Sequence, residues 1–259
     1  MDLGIKGKRA LVCGASKGLG RACAEALAEA GVELVINART AETLEQTAAD
    51  IRVRYAVPVT TVATDVTTEA GQQTLIDAAG AIDILINNAG GPPPGNWRDW
   101  NRDDFIAALD ANMLSAVALI KALVPSMIDN GWGRVVNITS IAVRQPNGVL
   151  GLSNSARAGL TGYVAGVSRD VAEYGVTINN LLPGLHATER LEGLDKFEAN
   201  QRGIETETMT RNRAASIPAK RYGTAAEFGA VCAFMCSQHA AYMVGQNVLL
   251  DGGAFNSTM

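Results

Sequence analysis

The sequence predicts an α/β protein, a doubly wound sheet of seven mostly parallel strands with helices on both faces. Short runs rich in β-branched residues alternate along the chain with Ala-rich stretches of helical periodicity. The strand runs are almost continuously apolar, which is typical of parallel strands buried on both faces. With 259 residues and 47% hydrophobic residues, the chain suits one large core, so we expect residues 1–259 to form a single domain.

The strands and helices follow from these patterns in chain order. Strands are predicted at 10–13, 33–38, 59–63, 82–86, 134–138, 176–180 and 247–250. Helices are predicted at 20–30, 42–55, 113–130, 156–174 and 225–238. The stretch 186–219 is polar and helix-prone without a strand pattern, so it is interpreted as a substrate lid, with a surface helical insertion as the alternative.

Charge and composition exclude several classes of partner. The net charge is −4 and no Lys/Arg run occurs, so neither nucleic acid nor a membrane surface is expected to bind. The first residues lack the apolar core of a signal peptide, and no apolar run approaches the roughly 20 residues of a membrane span. We expect a cytoplasmic protein. Its cysteines are interpreted as buried thiols and not as metal ligands: Cys13, Cys23, Cys232 and Cys236.

A glycine-rich turn closes the first predicted strand and opens the first helix. Its glycines are spaced G-x-x-x-G-x-G, which lets the backbone approach a pyrophosphate at the helix N-terminus. The predicted cofactor-binding residues of this turn are Gly14, Ser16, Lys17, Gly18, Leu19 and Gly20.

The second predicted strand ends at Arg39, without the acidic residue that would bind an adenine-ribose hydroxyl. Arg39 and Lys17 suit a 2′-phosphate instead, which favours NADP(H) over NAD(H) as the cofactor. The alternative is that both are solvated surface charges.

Three further turns follow predicted strands: Asp65-Val66, Asn87-Asn88-Ala89-Gly90 and Pro183-Gly184-Leu185-His186-Ala187-Thr188. With the glycine turn they form a pattern that resembles the short-chain dehydrogenase/reductase family from residue 8 to residue 253. The resemblance implies a single-domain Rossmann-type fold and a homo-oligomer, a tetramer or dimer, packed through the helices at 113–130 and 156–174. It is strongest toward 3-oxoacyl-[acyl-carrier-protein] reductase-like members. It implies further cofactor contacts from Asp65, Val66, Asn88, Ala89, Gly90, Pro183, Gly184 and Thr188.

The catalytic segment of that family is altered here. The family uses an Asn, a Ser, a Tyr thirteen residues after the Ser, and a Lys four residues after the Tyr. Asn112 and Ser140 match, whereas Ser153 and Arg157 occupy the Tyr and Lys positions. An aliphatic hydroxyl is a far weaker acid than a phenol, and arginine binds and polarises but does not readily exchange protons. Arg157 is still expected to hold ribose hydroxyls.

His186 follows the Pro-Gly turn and is the other candidate proton donor, since an unperturbed imidazole titrates near neutrality. An exposed loop histidine is the alternative. Arg144, in the loop after Ser140, is a candidate for binding a substrate carboxylate or phosphate, and a solvated loop charge is its alternative.

Three functions remain open on this sequence. The first is an NADP-dependent oxidoreductase with an atypical site, acting on a carbonyl or secondary alcohol of a small molecule such as an acyl thioester or a hydroxy/keto compound. The second is a non-redox lyase or hydratase in which Ser140 and Arg157 stabilise an oxyanion. The third is a catalytically silent nucleotide-binding subunit.

Overall fold

The computed structural model describes residues 1–257 and confirms the predicted fold class. Seven parallel strands form one sheet in the order β3-β2-β1-β4-β5-β6-β7. The strand order reverses between β1 and β4, which creates the crevice where doubly wound sheets bind ligands. The strands are β1 (Arg9–Val12), β2 (Glu33–Ala38), β3 (Val59–Ala63), β4 (Ile84–Asn87), β5 (Gly133–Ile138), β6 (Val176–Pro183) and β7 (Asn247–Leu250).

Helices cover both faces of this sheet. Side chains of α1, α2 and α9 form the core of one face, and those of α3, α5 and α6 form the core of the other. The helices among the described residues are α1 (Gly18–Glu29), α2 (Ala41–Tyr55), α3 (Glu69–Ala79), α4 (Arg102–Leu109), α5 (Ser115–Asp129), α6 (Gly151–Ala172), α7 (Glu189–Arg202), α8 (Thr206–Ser216) and α9 (Ala225–Met235).

Several helices differ from the prediction, and α3 was not among the predicted helices. Helix α6 begins at Gly151 and not at residue 156, so Ser153 is helical. Helix α4 was not predicted; it begins with a capping box in which Asn101 and Asp104 satisfy each other's backbone amides. A π-helical turn, Asp110–Leu114, joins α4 to α5.

The continuous helical run Arg102–Asp129 is long and apolar enough to cross a membrane by length and composition alone. In this fold several of its apolar side chains pack in the protein core. Leu119, Leu123 and Met127 are buried in the core against the sheet, which accounts for the apolar composition.

The segment 186–219 contains α7 and α8, which are fastened together by a buried carboxylate. Asp195 accepts hydrogen bonds from the Thr210 and Tyr222 hydroxyls at 2.8 and 2.9 Å and forms an ion pair with Arg213. The segment is therefore a structured helical pair, and its role as a lid remains a prediction.

Candidate active site

The glycine turn between β1 and α1 has the geometry of an anion cradle. Gly14 and Gly18 have φ of +58° and +59°, a left-handed conformation that favours glycine. A Cβ on Gly20 would lie 2.2 Å from the Gly14 carbonyl oxygen. Lys17 precedes α1 without a side-chain cap, so the first amides of the helix remain available to an anion. These features fit a dinucleotide pyrophosphate.

Asn88 fixes this turn from the end of the neighbouring strand. Its Nδ2 donates to the carbonyl oxygens of Cys13 and Gly14 at 3.3 and 3.2 Å. Cys13 itself is a buried free thiol whose pKa is raised to about 12 by desolvation. All four cysteines are buried and free, as predicted.

The two predicted phosphate-binding cations have different surroundings. Arg39 is exposed after β2 and forms no hydrogen bond or ion pair within the part of the chain that the structure describes. Lys17 is engaged in an ion pair with Glu189, at the start of α7. Arg39 is thus the freer of the two for a 2′-phosphate.

The other predicted cofactor residues lie along the same crevice. Asp65 follows β3, where its carboxylate accepts the Thr67 amide at 3.0 Å. Thr188 caps α7, accepting the Leu191 amide at 3.4 Å. Leu19 lies half-buried in the first turn of α1, and the Ser16 carbonyl accepts the Thr47 hydroxyl at 3.0 Å. The remaining positions lie at strand ends of the crevice: Val66, Ala89, Gly90, Pro183 and Gly184.

A row of asparagines supports the crevice and was missed by sequence reasoning. Asn87, Asn137 and Asn180 each donate through Nδ2 to the Oδ1 of the asparagine on the neighbouring strand, at 2.8, 3.1 and 2.8 Å. The four lie in register on four adjacent strands, from the last residue of β4 to the first residue of β7. The row links the four strands by side-chain hydrogen bonds in addition to their backbone pairing. Its members, in order from β4 to β7, are Asn87, Asn137, Asn180 and Asn247.

Arg157 is the centre of the altered catalytic segment. It is 8% exposed. Its Nη1 donates to the Ile138 and Thr139 carbonyl oxygens at 2.7 and 3.0 Å, and its Nε donates to Ser153 Oγ at 3.1 Å. Burial, with a smaller contribution from the charge of Arg190, lowers the pKa of Arg157 to about 10. The guanidinium is therefore a fixed cation at neutral pH, and its Nη2 has no hydrogen-bond partner among residues 1–257.

The hydroxyl oxygens of Ser140 and Ser153 each accept one hydrogen bond. Ser140 Oγ accepts the Ala142 amide at 3.1 Å and lies half-buried at the end of β5. Ser153 Oγ accepts from Arg157. Neither hydroxyl donates a hydrogen bond within residues 1–257, so each keeps its proton available for donation.

Asn112 lies in the π-helical turn, where its Nδ2 donates to the Gly90 carbonyl at 3.1 Å. Its Oδ1 and that of Asn87 are buried without a partner among the described residues. Both side chains line a cavity of about 20 Å³ that Arg157 also lines, which is room for about one water molecule.

His186 is not an exposed loop residue. It is 5% exposed, and its ring packs edge-on against Phe228 at 5.3 Å between centroids. Burial lowers its pKa, although the nearby Gly184 carbonyl opposes the shift. This geometry favours a packing role on α9, and a catalytic role for His186 remains an untested prediction.

A second pocket of about 270 Å³ shares the wall residue Ala111 with the small cavity lined by Asn112 and Arg157. Its walls are largely apolar. The wall residues include Pro92, Pro93, Pro94, Trp100, Ala108 and Leu152.

A doubly wound parallel sheet with a glycine turn at its switch point defines the Rossmann-type α/β proteins. Within that class, residues 14–254 match the family model described as enoyl-(acyl carrier protein) reductase. The chain belongs to the short-chain dehydrogenase/reductase family.

Similar proteins cover nearly the whole chain. The NADPH-dependent reductase BacG of Bacillus subtilis is 31% identical over 96% of this chain and 98% of its own. The 3-oxoacyl-[acyl-carrier-protein] reductase FabG of Vibrio cholerae is 31% identical over 98% and 99%. The crystal structure of L-sorbose reductase from Gluconobacter frateurii, complexed with NADPH and L-sorbose, superposes with a TM-score of 0.94 at 29% identity, covering 99% of this chain and 100% of that one.

Proposed function

We propose that this protein is an NADP(H)-dependent oxidoreductase that acts on a carbonyl or secondary alcohol of a small molecule through an atypical site. The observation that carries the proposal is the glycine cradle lying on the same sheet edge as Ser140 and Arg157. Two similar proteins support the choice of cofactor: BacG is an NADPH-dependent reductase, and the L-sorbose reductase structure is a complex with NADPH.

Different residues around the crevice would bind different parts of the cofactor. The glycine turn would hold the pyrophosphate, Arg39 the 2′-phosphate, and Asp65 the adenine. Arg157 and the Asn88–Gly90 turn would hold the nicotinamide ribose, with Pro183, Gly184 and Thr188 at the nicotinamide. NADPH, when bound, supplies the hydride.

Carbonyl reduction also needs charge stabilisation and a proton at the substrate oxygen. The free Ser140 hydroxyl donates a hydrogen bond to that oxygen, and the Arg157 cation stabilises the negative charge that develops there. Ser153, held by Arg157, is placed to pass a proton from water. Losing a phenolic acid typically costs about 10²- to 10⁴-fold in rate, so turnover is expected to be slower than with a tyrosine.

We place this chemistry in a cytoplasmic homo-oligomer, with 3-oxoacyl-like thioesters among the carbonyl compounds to be tested. Exposed apolar side chains on the α4–α5 helical run support an interface: Phe105, Ile106 and Leu114 are 39%, 40% and 46% exposed. Leu119 of α5 and Val164 of α6 are buried in the core of the same chain, so they are not available to such an interface.

A serine substitution tests the proposal. Ser140→Ala should lower kcat for carbonyl reduction by about 10²- to 10³-fold while leaving the Kd for NADPH within about threefold of the wild-type value. The matched control is Ser155→Ala, because Ser155 is exposed on α6 and bonds only within its helix. Unchanged turnover by Ser140→Ala would contradict the proposed role. NADPH binding without any turnover would instead favour the silent subunit.

A further inference from the structure

Two arginines beside the reactive centre lack an acidic partner. Arg157 donates only to two carbonyls and a hydroxyl. Arg190, in the first turn of α7, donates to the carbonyl oxygens of Gly91 and Pro92 at 2.9 and 3.4 Å. Within residues 1–257 neither arginine forms an ion pair, whereas Lys17 and Arg213 in the same region do.

The two charges oppose each other. Arg190 is exposed to solvent, and desolvation by the neighbouring protein atoms lowers the pKa of its guanidinium. Its charge in turn contributes to the lowered pKa of Arg157, after burial. Like charges without a counterion destabilise each other; solvent screens part of this repulsion at the exposed Arg190, and a bound anion would reduce it further.

The carboxylates of Glu189 and Asp104 already have other partners in the structure. Glu189 pairs with Lys17, and Asp104 accepts the Asn101 amide at 2.9 Å as part of the α4 cap. A ligand with an anionic group would supply negative charge that these two carboxylates do not.

The position of Arg190 separates that ligand from the dinucleotide pyrophosphate. The pyrophosphate cradle is the glycine turn at the start of α1. Arg190 contacts the loop after β4, and Gly91 and Pro92 of that loop line the 270 Å³ pocket. An anion bound by Arg190 would therefore belong to the molecule that enters this pocket.

We propose that the substrate is an oxo acid or hydroxy acid bound as its free carboxylate, with Arg190 as the residue that selects the carboxylate. The apolar part of the acid lies in the pocket beside Pro92 and Trp100, and its carbonyl oxygen faces Ser140. In the reducing direction, hydride from NADPH adds to the carbonyl carbon and a proton adds to its oxygen. The carboxylate is unchanged, NADPH is oxidised, and the ketone becomes an alcohol. The inference rests on the proposed function.

Paired acids and esters test this specificity. Acetoacetate and 4-phenyl-2-oxobutanoate are each compared with their ethyl esters, with NADPH oxidation as the readout. The wild type should prefer at least one acid over its ester in kcat/KM. Arg190→Gln should reduce that acid-to-ester ratio by about 10- to 100-fold, the usual worth of a charge-assisted hydrogen bond. Arg211→Gln is the control, since Arg211 is exposed on α8 and forms no ion pair in the described chain.

Several results would overturn the inference while leaving an oxidoreductase intact. Equal turnover of acids and esters by the wild type is one. A rise in the Kd for NADPH in Arg190→Gln, with both kinds of probe affected equally, would make Arg190 a cofactor residue. Loss of the acid preference in Arg144→Gln alone would move the site to Arg144.

If no probe turns over, the proposed function fails first, and calorimetry then decides the inference separately. Binding of an acid to the NADP⁺-loaded wild type, weakened in Arg190→Gln, would support the carboxylate site. Absence of binding by every acid would overturn it.

Discussion

Replacing Arg157 with methionine tests whether the buried guanidinium fastens β5 to α6. Arg157→Met keeps an unbranched side chain of similar length but removes the charge and the three bonds to Ile138, Thr139 and Ser153. It also leaves the two strand-end carbonyls buried without that donor.

The magnitude follows from two opposing terms. Charge-assisted hydrogen bonds contribute roughly 1.5–3 kcal/mol each. Against them stand the desolvation of the cation and, to a smaller extent, repulsion from Arg190, which together lower its pKa from 12.5 to about 10, worth about 3 kcal/mol. The bonds outweigh the desolvation, and we expect Arg157→Met to lower the free energy of unfolding by about 3 kcal/mol.

Urea denaturation at pH 7 measures this change, with Arg157→Lys as the comparison. Lysine retains the charge but presents a single donor group, so Arg157→Lys should fall between the wild type and Arg157→Met. The midpoint should shift with an unchanged m-value. An Arg157→Met protein as stable as the wild type, or more stable, would refute the reasoning, because desolvation would then exceed the hydrogen bonding.

Three further predictions concern the cofactor end and a surface ion pair. Arg39→Ala should raise the Kd for NADPH by at least 10-fold more than that for NADH, because only NADPH carries the 2′-phosphate; equal losses in fluorescence titrations would contradict this. Gly20→Ala should abolish dinucleotide binding, since its Cβ would lie 2.2 Å from a carbonyl oxygen, whereas Gly162→Ala, with open space on α6, should bind normally. The ion pair with Arg221 lowers the pKa of Glu227 to about 2. The pair therefore stabilises the fold above pH 4.5, and this stabilisation is lost as the pH falls toward 2. Glu227→Gln should flatten that part of the curve of stability against pH, and an unaltered curve would show that the pair does not contribute.

The parts of the site that were predictable lie close together in sequence. The spacing of Gly14, Gly18 and Gly20 predicts the cradle because turn geometry is a local property. Ser153 and Arg157 are four residues apart, so a helix brings them to one face, as the 3.1 Å bond between them shows.

The unpredicted parts depend on pairing between distant segments. The asparagine row requires the register of four strands, which no single strand encodes. The burial of His186 depends on Phe228, a residue of another helix. The early start of α6 was missed because its first residues, including Gly151 and Ser155, are weak helix formers that tertiary packing overrides.

The central claim is that Ser140 and Arg157 support hydride transfer without the tyrosine and lysine of the family. The most direct measurement is the reaction of the protein with NADPH deuterated at the nicotinamide C4, with the carbonyl probes in excess and the products analysed by mass spectrometry. We predict deuterium on the carbinol carbon of a product, with the signal lost in Ser140→Ala and retained in Ser155→Ala. Saturated NADPH binding with no deuterated product from any probe would contradict the account.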